Sequence, residues 1–334
     1  MLKYLFWILL MPTFLTHLNC KDLVGIQNQS TTKSDSIPNI LKVIPLDTAI
    51  YRNKVAFLSS QDSSGKWPVK DPYPMQGAIL PFQRIIAFYG NLYSKKMGIL
   101  AALPPKQMLE KLDLLVKEWS QVDSSFPARP ALHYIAVTAQ TEGDKKRLRM
   151  PFKEIDKILD LAKQIDALVF LDIQAGWSTI QEELPKLEKY FKMPHVHLGI
   201  DPEFKMKPEV VPGSVIGTID AKDINDAIHY LGKLVKNHTL PPKIIVIHRF
   251  TKEMLTNASQ IKLSPEVQII IHMDGFGPKE IKRNSYQRYI FEEPVQFTGF
   301  KIFYKNDTRL DKNGLFTPRE ILELIPKPIY IQYH

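Results

Sequence analysis

Short apolar segments alternate with amphipathic ones from residue 84 to the end of the chain. Eight of the apolar segments are rich in β-branched and aromatic residues and are apolar on both faces, which is typical of parallel strands covered by helices. They span residues 84–90, 131–140, 167–174, 195–201, 243–250, 267–275, 299–307 and 328–334. The pattern therefore predicts eight strands that are buried on both sides.

Between these strands, apolar residues recur at three- and four-residue steps. In the first interval Met108, Leu112 and Trp119 mark one face of a helix within residues 105–122. The later intervals hold similar patterns at residues 151–165, 179–191, 223–235, 251–258, 278–290 and 317–325. Several begin with a residue that favours a helix start, namely Pro151, Thr179, Asp223, Thr251 and Thr317. The sequence thus predicts one helix in each of the seven intervals.

Eight strands alternating with seven helices predict right-handed crossovers and a parallel sheet. Such strands can close into a (β/α)8 barrel of the TIM type, with the last strand beside the first. An open, doubly wound sheet is the alternative, but the segment "FYGNLYSKKMG" lacks the glycine spacing of a dinucleotide-binding turn. Residues 214–220 resemble a further short strand, and we assign them to the long loop after the fourth strand.

The first 20 residues have the composition of an export signal. Lys3 precedes a mostly apolar stretch that ends at Cys20, the only cysteine in the chain. This pattern predicts a bacterial lipoprotein signal with lipid attached to Cys20, although His17 stands three positions earlier where an apolar residue is usual. A plainly cleaved signal and an uncleaved anchor are the alternatives. The predicted location is the bacterial cell envelope, with the exported protein held at the membrane by its lipid.

The predicted domain boundaries follow from composition. Residues 1–20 form the signal, and residues 21–42, rich in Ser, Thr and Asn, form a disordered tether. Residues 43–80 form an N-terminal extension packed on the barrel, and residues 81–334 form the barrel itself. The single cysteine lies in the signal, so the mature domain is expected to depend on its hydrophobic core and not on disulfides.

The chain carries a net charge of +9, which raises the question of an anionic partner. Its lysines and arginines never occur in runs longer than three, and they alternate with acidic residues, as in "KLEKYFK". This distribution is typical of solvated helix faces. We therefore predict no nucleic-acid partner, because that would require a basic stripe interleaved with stacking aromatic residues.

If the fold is a barrel, functional residues should gather at the C-terminal ends of its strands. Nearly every predicted strand ends in polar or ionisable residues after an apolar body. The candidates are Tyr89, Asp172, Gln174, Asp201, Glu203, His248, Arg249, His272, Asp274 and Asp307. Strand ends are also where chains become exposed, so each residue alone is weak evidence.

Asp201 and Glu203 end the fourth strand and are separated by Pro202. On an extended segment, residues two apart point to the same side, here toward the barrel mouth. Two close carboxylates raise the pKa of one of them, which suits a general acid near neutral pH. Three interpretations stay open: a turn with a capping Asp, a catalytic acid/base at Glu203, and ligand binding without catalysis.

Asp172 and Asp274 are the candidates for a second carboxylate. Asp172 follows four large apolar residues, so it needs a partner such as His248 or Arg249. Asp274 precedes glycines that let a ligand approach the backbone closely. With Glu203, either residue forms the pair of carboxylates that glycoside hydrolysis uses. A structural ion pair for Asp172 and an Asp-Gly turn for Asp274 are the alternatives.

His248 and His272 end adjacent strands, as histidines do in metal-dependent amidohydrolase barrels. Those barrels also place a His-x-His pair after the first strand, whereas this strand ends in "FYGN" and the pair His195 and His197 begins a later strand. We therefore predict no metal and no cofactor. Serine and cysteine nucleophiles are disfavoured, because the chain has no Gly-x-Ser-x-Gly elbow and its cysteine lies in the signal.

The ordered motifs "FYGN", "LDIQAG", "LGIDPEF", "IGTIDAKDIN", "VIHRF" and "HMDGFG" resemble those of a family of secreted bacterial proteins and lipoproteins. The resemblance runs from about Phe88 to the C-terminus, with Phe204 and Arg249 where the family has Trp and Gln. The resemblance implies that the polar residues at the strand ends, together with Asn225, belong to one site. It implies no particular activity, because the family has no settled activity. The link to glycoside hydrolases is by fold analogy alone.

The sequence predicts a hydrolase of an envelope polysaccharide or glycoside. In this hypothesis Glu203 is the general acid/base and Asp274 or Asp172 the second carboxylate. The substrate would be held by Tyr89, Gln174, Asp201, Asn225, His248, Arg249, His272 and Asp307. A non-catalytic barrel that binds carbohydrate or another envelope ligand is the first alternative. A metal-dependent hydrolase built on His248 and His272 is the second.

Overall fold

The computed structural model describes residues 45–334 and contains a closed barrel of eight parallel strands. Its strands are β1 (Arg84–Gly90), β2 (Ala128–Ala139), β4 (Leu168–Ile173), β5 (Val196–Ile200), β7 (Lys243–Arg249), β9 (Val267–Met273), β10 (Phe297–Ile302) and β11 (Tyr330–Tyr333). Neighbours pair in this order, and β1 pairs with both β2 and β11. The ring is therefore closed, which confirms the predicted (β/α)8 barrel and excludes the open sheet.

Three short strands lie outside the ring. They are β3 (Arg147–Arg149), β6 (Ile219–Asp220) and β8 (Leu255–Thr256). Strand β3 runs antiparallel to the end of β2, and β6 pairs with β8 in a separate two-stranded sheet. Only the last two residues of the segment 214–220 are extended, and they do not join the barrel, in line with its assignment to a loop.

The helices are α1 (Thr48–Leu58), α2 (Pro105–Val122), α3 (Phe152–Lys163), α4 (Ile180–Phe191), α5 (Ala221–His238), α6 (Lys279–Tyr286), α7 (Tyr304–Leu310) and α8 (Pro318–Leu322). Thr179 caps α4 by accepting a hydrogen bond from the Glu182 N–H. Thr317 and Glu320 form a capping box at α8. Among residues 45–334, no helix is both long and apolar enough to cross a membrane.

The prediction of a helix over residues 251–258 is wrong. This interval contains turns, strand β8 and one 3-10 turn at Ala258–Gln260. The buried Arg249 guanidinium donates hydrogen bonds to the carbonyls of Thr251, Lys252 and Leu255. Those carbonyls are satisfied by a side chain and need no helical ladder, so Thr251 does not begin a helix.

The seventh barrel strand is also shorter than predicted. Strand β10 ends at Ile302, and helix α7 begins two residues later. Asp307, predicted at a strand end, therefore lies on α7. Its buried carboxylate forms an ion pair with the Lys282 ammonium and accepts hydrogen bonds from the Gly277 and Phe303 N–H groups. This carboxylate ties α7 to α6 and does not reach the barrel mouth.

Two apolar layers stabilise the fold. One lies between the strands and the surrounding helices, where Met108, Leu132 and Ile228 are buried. The other fills the N-terminal half of the barrel interior with residues such as Phe170 and Ile270, and α1 packs against it through Tyr51 and Leu58. The C-terminal half of the interior is polar, so stability and candidate chemistry occupy opposite ends of the barrel.

Candidate active site

Two glycines on barrel strands make room for the polar interior. A Cβ atom on Gly199 would lie 2.3 Å from His133 Nε2 and 2.4 Å from Asp172 Oδ1. One on Gly299 would lie 2.5 Å from His272 Nδ1. Each glycine stands beside one of these polar residues in the sheet, Gly199 next to Asp172 and Gly299 next to His272. The absent side chains are thus what allows ionisable groups to fill the interior.

Asp172 lies at the centre of this interior and is fully buried. Its Oδ1 is 3.2 Å from His133 Nε2 and 3.5 Å from His248 Nε2, and its Oδ2 accepts a hydrogen bond of 3.1 Å from the Tyr89 hydroxyl. Burial alone would raise the pKa of Asp172, but the charge of nearby His248 and the hydrogen bond from His133 hold it below its usual value. The carboxylate is therefore ionised and enclosed. Of the two partners that the sequence suggested for Asp172, His248 lies beside it and Arg249 does not.

His248 joins Asp172 to Asp274. Its Nδ1 lies 2.6 Å from Asp274 Oδ2. Burial disfavours the imidazolium, yet the charges of Asp274 and Asp172 raise the pKa of His248 to about 10. Lys301 Nζ lies 2.8 Å from Asp274 Oδ1, and despite burial these two cations keep the pKa of Asp274 below its usual value. The interior thus alternates Lys301, Asp274, His248 and Asp172, two cations with two anions.

The segment after β5 is not extended, contrary to the sequence prediction. Residues Pro202–Phe204 form a 3-10 turn, and Asp201 caps it by accepting a hydrogen bond of 3.1 Å from the Glu203 N–H. Gln174 Nε2 donates to Asp201 Oδ2 at 3.1 Å. Burial, followed by the charges of Asp172, Glu203 and Asp274, raises the pKa of Asp201 to about 8, against the opposing charge of His248. Asp201 therefore caps the turn, as one of the three interpretations expected, whereas the Glu203 carboxylate has no capping role.

The Glu203 carboxylate has no ion pair and no side-chain hydrogen bond within residues 45–334. It lines the cavity at the barrel mouth together with Asp274. Burial is the main reason that the pKa of Glu203 rises to about 7, and the charge of Asp274 adds to this effect. One cavity therefore contains two carboxyl groups that retain a proton near neutral pH, Asp201 and Glu203, and one carboxylate that does not, Asp274. Asp201 is held by Gln174 and by the turn that it caps, so Glu203 is the one of the two that is free to meet a ligand.

The cavity has a volume of about 640 Å³, within the range of small-molecule sites. Acidic and amide groups form one part of its wall, from Gln174, Asp201, Glu203 and Asp274. Four phenylalanines form another part: Phe204, Phe250, Phe276 and Phe303. Phe276 is about half exposed, at 54%. Aromatic faces beside acids suit a ligand that carries both C–H surfaces and hydroxyl groups.

The structure brings together most of the residues predicted from strand ends. Tyr89, Gln174, Asp201, Glu203 and Asp274 line the cavity. Beneath them, Asp172, His248 and His272 are fully buried and do not line it. Of the two histidines, which were predicted to hold substrate, His248 contacts the cavity-lining Asp274, whereas the His272 ring nitrogens have no hydrogen-bond partner within residues 45–334.

Three residues predicted to hold substrate, Arg249, Asn225 and Asp307, lie away from the cavity at the barrel mouth. Alternation along β7 turns the Arg249 side chain out of the barrel, where it pairs with Glu293 and with loop carbonyls. Asn225 lies on α5 and hydrogen-bonds the backbone of Gln260 and Lys262. None of the three lines the cavity.

Two interior residues were missed. Lys301 lies within β10 and His133 within β2, not at the strand ends where candidates were sought. Both point inward, and the signal available was a charged or titratable residue inside an otherwise apolar strand. His334, the last residue of the chain, also lines the cavity and was missed.

Three donor atoms converge in a way that would suit a divalent metal. The side-chain donors of His133, Asp172 and His248 lie within 4.8 Å of one another. The second nitrogen of each histidine is held from outside, His133 Nδ1 at 2.6 Å by the Tyr330 hydroxyl and His248 Nδ1 by Asp274, as in many metal sites. The set differs from the predicted pair, because His272 is not part of it.

Comparison with known proteins finds only distant structural similarity. No protein-family model and no curated protein matches the chain. Similar solved structures include the cellulase Cel5C_n, at 15% identity and TM-score 0.39 over 70% of this chain and 69% of that one. GH5-4 broad specificity endoglucanases from Clostridium cellulovorans (10%, 0.41, 79% and 89%) and Clostridium longisporum (11%, 0.35, 61% and 71%) are others. Likeness at this level carries no argument about activity.

Proposed function

We propose that this protein hydrolyses a glycosidic bond, with Glu203 as general acid and Asp274 as the second carboxylate. The observation that carries the proposal is the opposite protonation of two carboxyl groups in one cavity. The pKa of Glu203 is raised to about 7, whereas Lys301 and His248 keep Asp274 ionised. Environments that push two carboxyl groups apart in this way assign one as acid and the other as base or nucleophile.

The reaction follows from these states. Protonated Glu203 donates its proton to the glycosidic oxygen as the bond to the anomeric carbon breaks, so the leaving sugar departs as an alcohol. In a retaining course, ionised Asp274 attacks the anomeric carbon as that bond breaks, and water deprotonated by Glu203 then releases the sugar from Asp274. In an inverting course, Asp274 removes a proton from the water that attacks the anomeric carbon. The phenylalanines of the cavity wall would pack against the sugar rings.

Asp172 takes a supporting role in this proposal. It is fully enclosed by His133, His248 and Tyr89, so substrate does not reach it. Its charge holds His248 as a cation, and His248 in turn contacts Asp274. Asp172 is therefore a positioning residue, and Asp274 is the preferred second carboxylate.

Export and lipid attachment at Cys20 belong to the same proposal, and both lie outside the described residues. They rest on the apolar composition of residues 1–20. An exported enzyme would meet polysaccharides at the cell envelope. Labelling cells with a fatty-acid analogue, with Cys20→Ala as the comparison, tests this part separately from the activity.

The activity is tested by incubating purified protein with a panel of polysaccharides and measuring the release of reducing ends. Glu203→Gln should lower the rate at least about a hundredfold, the usual worth of general acid catalysis. Glu209→Gln is the matched control, because Glu209 is exposed on the loop after the turn. Equal rates for wild type and Glu203→Gln would refute the assignment. Binding without release would favour the non-catalytic alternative.

A metal-dependent hydrolase is the second candidate, favoured by the convergent donors of His133, Asp172 and His248. A metal held there would supply a Lewis acid beneath the cavity, and His248 would have to release its proton to bind it. Elemental analysis of protein purified without chelator, with His133→Ala as comparison, separates the two candidates. Stoichiometric metal lost in the variant would favour the second.

A further inference from the structure

A second cavity of about 470 Å³ adjoins the active-site cavity. Lys96, Phe303, Asn306 and His334 line both cavities, so the two cavities are adjacent. The second cavity, here called the lysine lobe, lies between the segment after β1, helix α2 and the start of α7. Its size and position suit a neighbouring unit of a chain-like ligand.

The lysine lobe differs from the active-site cavity in charge. Four lysines line it, namely Lys95, Lys96, Lys111 and Lys305, and no Asp or Glu does. None of the four forms an ion pair within residues 45–334. The acidic groups Asp201, Glu203 and Asp274 line only the neighbouring cavity. A ligand that spans both would therefore meet acids at one end and ammonium groups at the other.

Lys111 shows the contrast within a single helix. On α2, Lys106 and Lys117 lie near Glu110 and Asp113, at 4.0 and 2.6 Å, on the exposed surface. Lys111 is partly buried, has no such partner and rests 4.0 Å from the centre of the Tyr304 ring. Burial lowers the pKa of Lys111, because an ammonium group loses hydration without gaining a counter-ion. A ligand anion would supply that counter-ion.

The walls between the lysines are apolar. Ile99, Ala102, Leu103 and Phe303 line the lobe beside the ammonium groups. Such a surface fits the C–H face of a sugar ring that carries an anionic substituent. A free inorganic anion would use the lysines but leave the apolar walls without a partner.

We propose that the lysine lobe binds an anionic sugar unit of an acidic polysaccharide, next to the bond that is cleaved between Glu203 and Asp274. The inference rests on the proposed function and narrows its substrate to polysaccharides carrying uronate carboxylates or sulfate or phosphate esters. Lys111 and Lys305 form charge-assisted hydrogen bonds to the anionic group, while the apolar walls pack against the ring.

The test measures binding by calorimetry to the Glu203→Gln protein, so that hydrolysis does not intervene. The probes are polygalacturonate and its methyl ester, then dextran sulfate, phosphorylated dextran and dextran. At least one acidic polymer should bind about tenfold more tightly than its neutral partner at low salt, and the difference should shrink at high salt. The three acidic polymers tell carboxylate, sulfate and phosphate esters apart.

In the Glu203→Gln protein, the further substitutions Lys111→Gln and Lys305→Gln together should weaken binding of the preferred acidic polymer about tenfold. Adding Lys106→Gln and Lys117→Gln together is the control, with the same charge change, and should alter it less than twofold. Equal binding of acidic and neutral polymers, or equal effects of both lysine pairs, would overturn the inference and leave the proposed reaction standing. Lysine-dependent binding without cleavage by wild type would overturn the reaction alone.

Discussion

The raised pKa of Glu203 can be tested without knowing the substrate, through stability. The pKa moves from the ordinary value of 4.5 to about 7 in the folded chain. The folded state therefore binds this proton more tightly than the unfolded state does. The stabilising contribution of the protonated group is fully present below pH 4.5 and is lost as the pH rises to about 7. Glu203→Gln lacks the titration and should keep its stability over this range.

The size of the effect follows from the same numbers. At 1.36 kcal/mol per pH unit, a change of about 2.5 units gives an upper limit of about 3 kcal/mol. Partial exposure of Glu203 and screening reduce it, so about 1–2 kcal/mol is expected at pH 7.5.

Denaturant unfolding of wild type, Glu203→Gln and Glu209→Gln between pH 4 and 8 measures this effect. The stability difference between wild type and Glu203→Gln should grow with pH up to about pH 7 and then level off. Glu209→Gln is the control for removing an exposed carboxyl group from the same loop. A flat difference for Glu203→Gln would show that its carboxyl group is not perturbed, and the assignment of Glu203 as general acid would fall.

Three further outcomes are expected. With a cleavable substrate, kcat/KM should fall about tenfold per pH unit above pH 7 as Glu203 loses its proton, and a flat profile to pH 9 would contradict this. Gly199→Ala should destabilise the fold by about 1–3 kcal/mol in denaturant unfolding, because its methyl group would overlap buried polar atoms. Gly232→Ala on α5 is the control and should be tolerated, because its added Cβ atom would lie 3.6 Å from the nearest atom, Glu266 Cβ. Asp172→Asn should cost about 3 kcal/mol by leaving His248 with one anion fewer, and a loss below about 1 kcal/mol would show that the interior charges are not coupled.

The sequence was sufficient for the barrel because its strands are apolar on both faces, and only a closed or covered parallel sheet buries both. The sequence was insufficient for the segments that follow the strands, because hydrophobic periodicity does not encode whether the backbone continues extended or turns after a strand. "DPEF" could continue β5 or turn, and it turns because Asp201 caps the Glu203 N–H. After β7, the Arg249 side chain donates hydrogen bonds to the carbonyls of the segment that was predicted as a helix. No local sequence pattern indicates this interaction.

The acidic residues of the candidate site were predicted from the sequence, but the cation that pairs with one of them was not. Asp172, Asp201, Glu203 and Asp274 were found because acids are conspicuous at the ends of apolar runs. Lys301 was missed although it forms an ion pair with Asp274, since the pairing joins β10 to the loop after β9 and becomes visible only when the strands are placed side by side. Which acids keep their protons is a property of that packing and not of the sequence spacing.

The alternation of Lys301, Asp274, His248 and Asp172 also restricts how this protein can change over generations. Replacing any one member leaves a buried charge without its counterpart, whereas replacing an adjacent cation and anion together keeps the sum at zero. Lys301 and Asp274 should therefore be retained or lost as a pair among descendants of the same ancestor. A lineage that abandons the chemistry could replace both with apolar residues and keep the barrel.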